Sequence, residues 1–178
     1  RQNYLKKLVN KKGNGLIKVV TGVRRCGKSY LLFNLFHEHL CSEGVDESHI
    51  IEVALDDRTN IKLRNPDNML EYVKSRIIDS GMYYIILDEV QLLDEFEDVL
   101  NSFLHIKNAD VYVTGSNSKF LSSDVITEFR GRGDEIRIHP LSFSEFMSVY
   151  NGTVDDGWDE YFNYGGLPLV LSCRTLEE

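Results

Sequence analysis

One short segment constrains this chain more than any other part of it: residues 22–29 read Gly-Val-Arg-Arg-Cys-Gly-Lys-Ser. The segment fits the pattern G-x-x-x-x-G-K-[ST] at every position. A β-branched apolar run at residues 16–22 precedes it, and leucines at helical spacing follow it. The segment therefore lies between a predicted strand and a predicted helix, where glycines let successive N–H groups face one anion beside the positive helix end. The sequence predicts a phosphate-binding loop.

The residues of this loop have distinct expected roles. Lys28 would reach the β- and γ-phosphates of a nucleotide, and the Ser29 hydroxyl would bind Mg²⁺. The N–H donors around Cys26 could lower the pKa of its thiol, although most residues at this position simply point outward. The pattern arises by chance in roughly 1% or fewer of chains of this length, judged from average composition. We therefore predict a nucleotide site formed by Gly22, Val23, Arg24, Arg25, Cys26, Gly27, Lys28, Ser29 and Tyr30.

Composition excludes several other classes of protein. The 178 residues carry 28 acidic and 20 basic side chains, and a formal net charge of -8 argues against a generally basic nucleic-acid binder. Nine Tyr and nine Phe are too many for a disordered chain. The longest apolar run, residues 83–87, is well short of the ~20 residues of a membrane span. The three cysteines and five histidines show no metal-ligand spacing, so we expect free thiols in a cytoplasmic protein.

Apolar runs alternate with helical periods along the chain. Strands are predicted at residues 16–22, 50–55, 83–87, 111–114 and 135–139, with helices between them and a capping box formed by Ser142 and Glu145. Strands that alternate with helices indicate βαβ units. We therefore predict a three-layer α/β fold with a mostly parallel, five-stranded sheet.

The third predicted strand ends in two carboxylates, Asp88 and Glu89, about 60 residues after the loop. Ligands of open α/β sheets bind at the carboxyl ends of the strands. Asp88 is therefore predicted to hold Mg²⁺, and Glu89 to orient and polarise an attacking water as a general base. The alternative is an acidic strand end that faces solvent.

A Glu directly after this Asp resembles the additional-strand class of P-loop ATPases, in which that Glu is the catalytic base. The class inserts a strand between the two motif strands, which implies the sheet order 5-1-4-3-2. The Asn-Lys-x-Asp guanine motif of Ras-type GTPases does not occur in the sequence, and nucleoside kinases lack the Asp-Glu pair. ATP is therefore the expected nucleotide.

Two further polar positions are candidates for contact with the γ-phosphate. The resemblance implies a polar sensor residue after the fourth strand, for which Asn117 is the first choice and Ser116 the second; a Gly-Ser-Asn turn without a ligand is the alternative. Arg132, and less strongly Arg130, lie beside glycines and could reach a phosphate in cis or from a neighbouring subunit. Solvated turn arginines would have the same sequence.

Several motifs together resemble the prokaryotic AAA-type ATPases related to the archaeal ATPase and STAND groups. Besides the loop, they are Leu-Asp-Glu-Val-Gln at 87–91, Thr-Gly-Ser-Asn-Ser at 114–118, Gly-Arg at 131–132, Pro-Leu-Ser-Phe-Ser-Glu-Phe at 140–146 and Tyr-Gly-Gly-Leu-Pro at 164–168. Members usually continue into a C-terminal domain of unknown function. The Gly-Gly-Leu-Pro segment is similar to the Gly-x-Pro motif of STAND modules, which implies that Pro168 contacts adenine; a turn between helices is the equal alternative.

We expect three parts: a basic N-terminal arm at residues 1–15, an AAA-type ATPase core at 16–156, and the start of a truncated helical lid at 157–178. The arm carries Arg1, Lys6, Lys7, Lys11 and Lys12 without an acid and is predicted to be solvated. The predicted function is Mg²⁺-dependent ATP hydrolysis coupled to conformational change. Its rival is a non-catalytic ATP/ADP switch that controls docking of the missing C-terminal domain. DNA handling is a third interpretation, and the protein or nucleic-acid partner and the oligomeric state are left open.

Overall fold

The structure is a computed structural model that describes residues 1–115 and 131–171. Its sheet has five strands in the order β2-β3-β4-β1-β5, and all the pairs are parallel. The strands are β1 (Ile17–Gly22), β2 (Ile50–Ala54), β3 (Tyr83–Asp88), β4 (Ala109–Thr114) and β5 (Gly133–Ile138). Read from the other edge this order is 5-1-4-3-2, so the predicted α/β fold and strand order are confirmed.

Helices precede and connect the strands. The helical turns Lys28–Tyr30, Leu31–Phe36 (π-helical) and His37–Ser42 follow one another directly and together form α2. None of the helices in the described ranges is long and apolar enough to cross a membrane. The other helices are α1 (Gln2–Asn10), α3 (Pro66–Arg76), α4 (Phe96–Phe103), α5 (Phe143–Met147) and α6 (Val154–Tyr164), with shorter 3₁₀ turns at Glu47–His49, Arg58–Arg64, Val90–Leu92 and Pro168–Leu171.

Both faces of the sheet are covered, which gives the three layers that the sequence predicts. Strand β3 shows this directly, because its six residues are all buried. Tyr83, Ile85 and Leu87 pack in the core cluster that contains α3 and α4. Tyr84 and Ile86 point the other way, into the cluster that contains α1 and α2. A strand buried on both sides has no need of polar alternation, and the apolar run at 83–87 has none.

The first residues differ from the solvated arm expected from their charge. They form α1, in which Leu8 is fully buried and Tyr4 and Leu5 pack against the same core cluster. The exposed face of the helix carries Lys6 and Lys7. The expectation of a solvated arm is wrong here. It rests on the number of lysines, whereas the apolar residues between them recur at helical spacing and form a buried face.

The segment between α1 and β1 is held by a buried ion pair at the amino end of the sheet. Lys18 and Asp110 form this pair inside the protein, 0% and 4% exposed. Asp110 also accepts hydrogen bonds from the Gly13 amide and the Tyr112 hydroxyl, each at 2.8 Å. All these donors converge on one carboxylate, so the ion pair holds the segment between α1 and β1 at the end of the sheet opposite the phosphate loop.

Candidate functional site

The predicted loop and the predicted acidic strand end meet at one edge of the sheet. The strands are parallel, so the carboxyl ends of β1, β3 and β4 lie side by side. The loop at residues 22–29 leaves β1 there, Asp88 ends β3, and Thr114 ends β4. In open α/β sheets this edge is where ligands bind.

The loop backbone takes conformations that the sequence pattern anticipates. Gly22 and Gly27 have φ of 148° and 93°, values at which a side chain is strained. Arg25, between them, has φ of 65°. Gly27 is also the N-cap of α2, and no side chain caps the helix there, so the first amides of the helix have no partner within it.

Gly22 is fixed by a close approach as well as by its φ. A Cβ at this position would lie 2.4 Å from the carbonyl oxygen of Ile138 in β5. We expect Gly22→Ala to lower the free energy of unfolding by about 2–4 kcal/mol, from backbone strain plus overpacking. Chemical denaturation measures the change. Gly13→Ala is the matched control, because Gly13 has a positive φ of 71° with no atom within 4 Å of its Cβ position. Equal losses in the two variants would show that the contact with Ile138 is not what requires glycine.

Lys28 lies inside the loop, with 4% of its surface exposed. Its ammonium group donates hydrogen bonds to the carbonyl oxygens of Gly22 and Val23, each at 3.2 Å. The loop therefore curls around this one positive charge. A buried ammonium held by neutral carbonyls can exchange them for phosphate oxygens, which form stronger charge-assisted hydrogen bonds.

Ser29 and Asp88, the two predicted Mg²⁺ ligands, are in direct contact. The Ser29 hydroxyl donates to Oδ2 of Asp88 at 2.7 Å. The Thr114 hydroxyl donates to the other carboxylate oxygen, Oδ1. A hydroxyl and a carboxylate are the oxygen donors that hold Mg²⁺ in P-loop proteins. The structure thus brings together the two residues that the sequence predicts as metal ligands, in a donor set that suits the ion.

The Asp88 carboxylate is almost fully buried, with 5% exposed. Burial raises the pKa of Asp88 above its ordinary value, and the nearby charges of Glu89 and Asp56 raise it further. The hydrogen bonds from Thr114 and Ser29 oppose this effect. A nearby cation would stabilise the ionised form of this buried carboxylate, because a positive charge lowers the pKa of a carboxyl group.

Glu89 has a strained backbone directly after β3, with φ of 52° in the left-handed region. Its amide donates to the Thr114 hydroxyl oxygen at 3.0 Å, and its side chain accepts a hydrogen bond from the Gln91 amide. The other amide atom of Gln91, Oε1, is buried and has no hydrogen-bond partner among the described residues. Strain and an orphaned polar atom at one strand end are features that functional sites concentrate.

The thiol of Cys26 points into the protein and not outward as expected. The residue is fully buried, and its Sγ lies 3.9 Å from the carbonyl oxygen of Ile138. Burial raises the pKa of the Cys26 thiol, outweighing the nearby charges of Lys28 and Arg1. The idea of a lowered thiol pKa is therefore wrong, because the sulfur is buried in the core beneath the loop and burial outweighs the effect of the loop amides.

Two residues distant in the sequence flank the loop. Arg1 donates from one guanidinium nitrogen to the carbonyl oxygen of Cys26 at 2.7 Å and from another to that of His139 at 2.8 Å. The ring of Pro168 lies 3.9 Å from the position that a Gly27 Cβ would take. Pro168, predicted to contact a base, is thus brought to the loop. Four other residues of the predicted nucleotide site have exposed side chains: Val23, Arg24, Arg25 and Tyr30.

Arg132 is not brought to this site within the chain. Its carbonyl accepts a hydrogen bond from the amide of Ile17, the first residue of β1, at 2.8 Å. A strand of six residues spans about 17 Å, so Arg132 lies at the amino ends of the strands, opposite the phosphate loop. There its guanidinium donates a hydrogen bond to Asn101 at 3.1 Å. This position does not support contact with the chain's own loop, and contact with a neighbouring subunit's loop stays a prediction. Asn117, Ser116 and Arg130 lie outside the described residues.

Sequence reasoning missed Thr114, Gln91 and Arg1. Thr114 could have been found by the rule that found Asp88, since it is the polar residue at the carboxyl end of the strand next to β3. Gln91 stands inside a motif already noted but was given no role. Nothing in the sequence relates Arg1 to a loop more than 20 residues away.

Comparisons with known proteins concern the family and the fold of the chain. A family model described as an AAA domain matches residues 14–147. An uncharacterised protein of Haemophilus influenzae is 32% identical over 185 aligned positions, covering 100% of this chain and 46% of that protein. An uncharacterised protein of Methanocaldococcus jannaschii is 28% identical over 170, covering 86% of this chain and 36% of that protein. The chain therefore spans less than half of the length of these relatives.

Solved structures share the fold at low sequence identity. The crystal structure of a DNA replication initiation factor has a TM-score of 0.59 at 15% identity, covering 94% of this chain and 56% of that one. The Aeropyrum pernix ORC1 protein in complex with DNA has a TM-score of 0.55 at 14% identity, covering 90% and 49%. C. elegans PCH-2 has a TM-score of 0.55 at 13% identity, covering 83% and 41%. At these identities the likeness concerns the fold alone.

Proposed function

Because this chain belongs to the AAA domain family of ATPases, we propose that it binds ATP with Mg²⁺, hydrolyses it, and couples hydrolysis to a conformational change. The observation that carries the proposal is the 2.7 Å hydrogen bond between Ser29 of the loop and Asp88 at the end of β3. It joins two residues that are distant in sequence and that would together hold the metal ion of a magnesium–nucleotide site. Mg²⁺ at such a site neutralises charge on the β- and γ-phosphates.

The residues around the loop have complementary roles in this proposal. Lys28 exchanges its bonds to loop carbonyls for bonds to phosphate oxygens, and the first amides of α2 donate to the same group. Ser29 and Asp88 hold the metal ion. Pro168, beside Gly27, offers an apolar surface to the adenine ring.

Glu89 acts as the general base in this mechanism. Its carboxylate accepts a proton from the attacking water and orients that water towards the γ-phosphate. Gln91 donates to this carboxylate and fixes its direction, and Thr114 fixes the Glu89 backbone. Thr114 also holds Asp88, so one hydroxyl couples the general base to the metal ligand. Asn117 as the sensor of the γ-phosphate, and Arg132 acting on a neighbouring subunit, are further parts of this proposal.

A second candidate function is a non-catalytic ATP/ADP switch that controls how the rest of a longer protein docks. It is favoured by the length of the relatives, of which this chain spans 46% and 36%. A DNA-associated role is weaker; it draws on the exposed Lys6 and Lys7 of α1 and on the DNA bound in the ORC1 complex. Under each of these functions we propose that the protein is located in the cytoplasm.

Phosphate release from Mg-ATP by the purified chain separates hydrolysis from a switch. We expect continuous release of phosphate, lost when EDTA removes the metal ion. If the chain binds ATP but releases no more than one phosphate per chain, repeated hydrolysis is rejected and the switch is favoured. Binding is measured in parallel by calorimetry, so that a loss of affinity is not mistaken for a loss of chemistry.

A further inference from the structure

Three donor side chains of different chemistry lie together at the end of α2 away from the phosphate loop. His37 and Cys41 are one helical turn apart, and residues at i and i+4 of a helix are neighbours on one face. Glu47 begins the 3₁₀ turn that leads into β2. One potential ligand atom from each of the three residues lies within 4.8 Å of the others.

The backbone between the helix and Glu47 is held in place by hydrogen bonds. The amide of Gly44, with φ of 86°, donates to the carbonyl of Cys41 at 3.0 Å, and that of Val45 donates to Leu40 at 3.1 Å. The Asp46 carboxylate then accepts from the Ser48 amide at 2.8 Å. The chain therefore turns back sharply, which brings Glu47 beside the last turn of α2.

A fourth residue orients the histidine. The Glu52 carboxylate, on β2, lies 3.0 Å from Nδ1 of His37. With the carboxylate as acceptor, Nδ1 is the donor of this hydrogen bond, and Nε2 is the ring nitrogen left to bind a metal ion. Histidines that bind metals commonly donate their other ring N–H to a carboxylate in this way. The pair is partly buried, with side chains 27% and 29% exposed.

We propose that His37, Cys41 and Glu47 bind a divalent transition-metal ion, Zn²⁺ above all, with water as a fourth ligand. Imidazole, thiolate and carboxylate are together the donors of Zn²⁺, whereas Mg²⁺ prefers oxygen alone. Tetrahedral Zn²⁺ with bonds of about 2.0–2.3 Å puts its donors about 3.3–3.8 Å apart. Glu47 is exposed and His37 and Cys41 are partly so, and their ligand atoms, which lie within 4.8 Å of one another, would have to approach by roughly 1 Å to reach that spacing.

This site is separate from the phosphate loop and does not depend on the proposed ATPase activity. An ion bound there ties the C-terminal turn of the loop's own helix to the start of β2. The sequence shows no sign of it, because His-x₃-Cys followed by a Glu is not a recognised ligand spacing, and the fold alone brings the carboxylate close.

Titration of the purified chain with Co²⁺, in excess Mg²⁺, tests the proposal. We expect one Co²⁺ per chain, a thiolate-to-cobalt charge-transfer absorption, and displacement of the ion by Zn²⁺. Absence of saturable Co²⁺ or Zn²⁺ binding at micromolar concentrations would overturn the proposal. Lys28→Ala should bind Co²⁺ like the wild type, which keeps this result independent of the nucleotide site.

Single substitutions assign the ligands. Cys41→Ser should abolish the charge-transfer band, and His37→Gln should weaken Co²⁺ binding at least 100-fold. Glu52→Gln should weaken it by roughly 10–100-fold, the usual effect of losing a partner of a ligating histidine. Glu38→Gln, an exposed carboxylate on the same helical turn, is the matched control and should change nothing. A band that persists in Cys41→Ser would place the metal elsewhere and reject this site.

Discussion

Glu89→Gln is expected to lower ATP turnover at least 100-fold while leaving the affinity for Mg-ATP within about threefold of the wild type. A general base typically contributes 10²–10⁴-fold to a rate, and an amide cannot accept the proton. The substitution keeps the shape of the side chain and its place after β3. Phosphate release gives turnover, and calorimetry gives the affinity.

The control for this variant is Glu95→Gln. Glu95 is an exposed glutamate whose φ of 49° places it in the same left-handed region as Glu89, six residues further along the chain. The Glu95→Gln variant therefore measures how turnover changes when a glutamate with the same backbone conformation loses its charge away from the site. Unchanged turnover in Glu89→Gln, or an equal decrease in Glu95→Gln, would remove Glu89 from the mechanism.

Lys28→Ala is expected to weaken Mg-ATP binding at least 100-fold. The Lys28 ammonium is the charge around which the loop curls, and charge-assisted hydrogen bonds contribute about 1.5–3 kcal/mol each. Two such bonds to phosphate oxygens account for a loss of this size. Calorimetric titration with Mg-ATP measures the dissociation constant directly.

Two further variants make the Lys28 result interpretable. Lys28→Met keeps the buried aliphatic stem and loses only the charge, so it should bind ATP as weakly as the alanine variant. Lys74→Ala removes an exposed lysine of α3 and should bind like the wild type. Near-normal affinity in Lys28→Met would contradict a direct contact between this ammonium and the nucleotide.

Local patterns in the sequence predict the strands and the layers of the fold, and a family resemblance predicts the strand order. The apolar run at 83–87 predicts a strand buried on both faces, and β3 is buried along its whole length. The capping box at Ser142 and Glu145 is present at the start of α5. The strand order follows from the Asp88-Glu89 pair through its resemblance to the additional-strand class, and the AAA-type family predicted from the motifs is confirmed.

Contacts between distant residues could not be predicted in the same way. The predicted strand order places β3 beside β4, but the hydrogen bond from the Thr114 hydroxyl to Asp88 depends on their register, which the order alone does not give. Cys26 turns inward because β5 ends beneath the loop, and Arg1 reaches the loop because α1 packs beside α2. Its glycine neighbours make Arg132 a candidate for phosphate contact in cis or from a neighbouring subunit, whereas the register of β1 and β5 places it at the amino ends of the strands, away from the chain's own loop. Each of these follows from tertiary packing and not from the residue types themselves.

The most direct test of the central claim is the thermal unfolding of the chain with Mg-ATP, Mg-ADP and Mg-GTP. A ligand at about 100 times its Kd adds roughly 2.7 kcal/mol to the free energy of unfolding. For a domain of this size that raises the Tm by roughly 5–10 °C. We predict such a rise with the two adenine nucleotides and a much smaller one with Mg-GTP. No rise with any of the three would contradict the assignment of the loop and of Asp88 to a magnesium–nucleotide site.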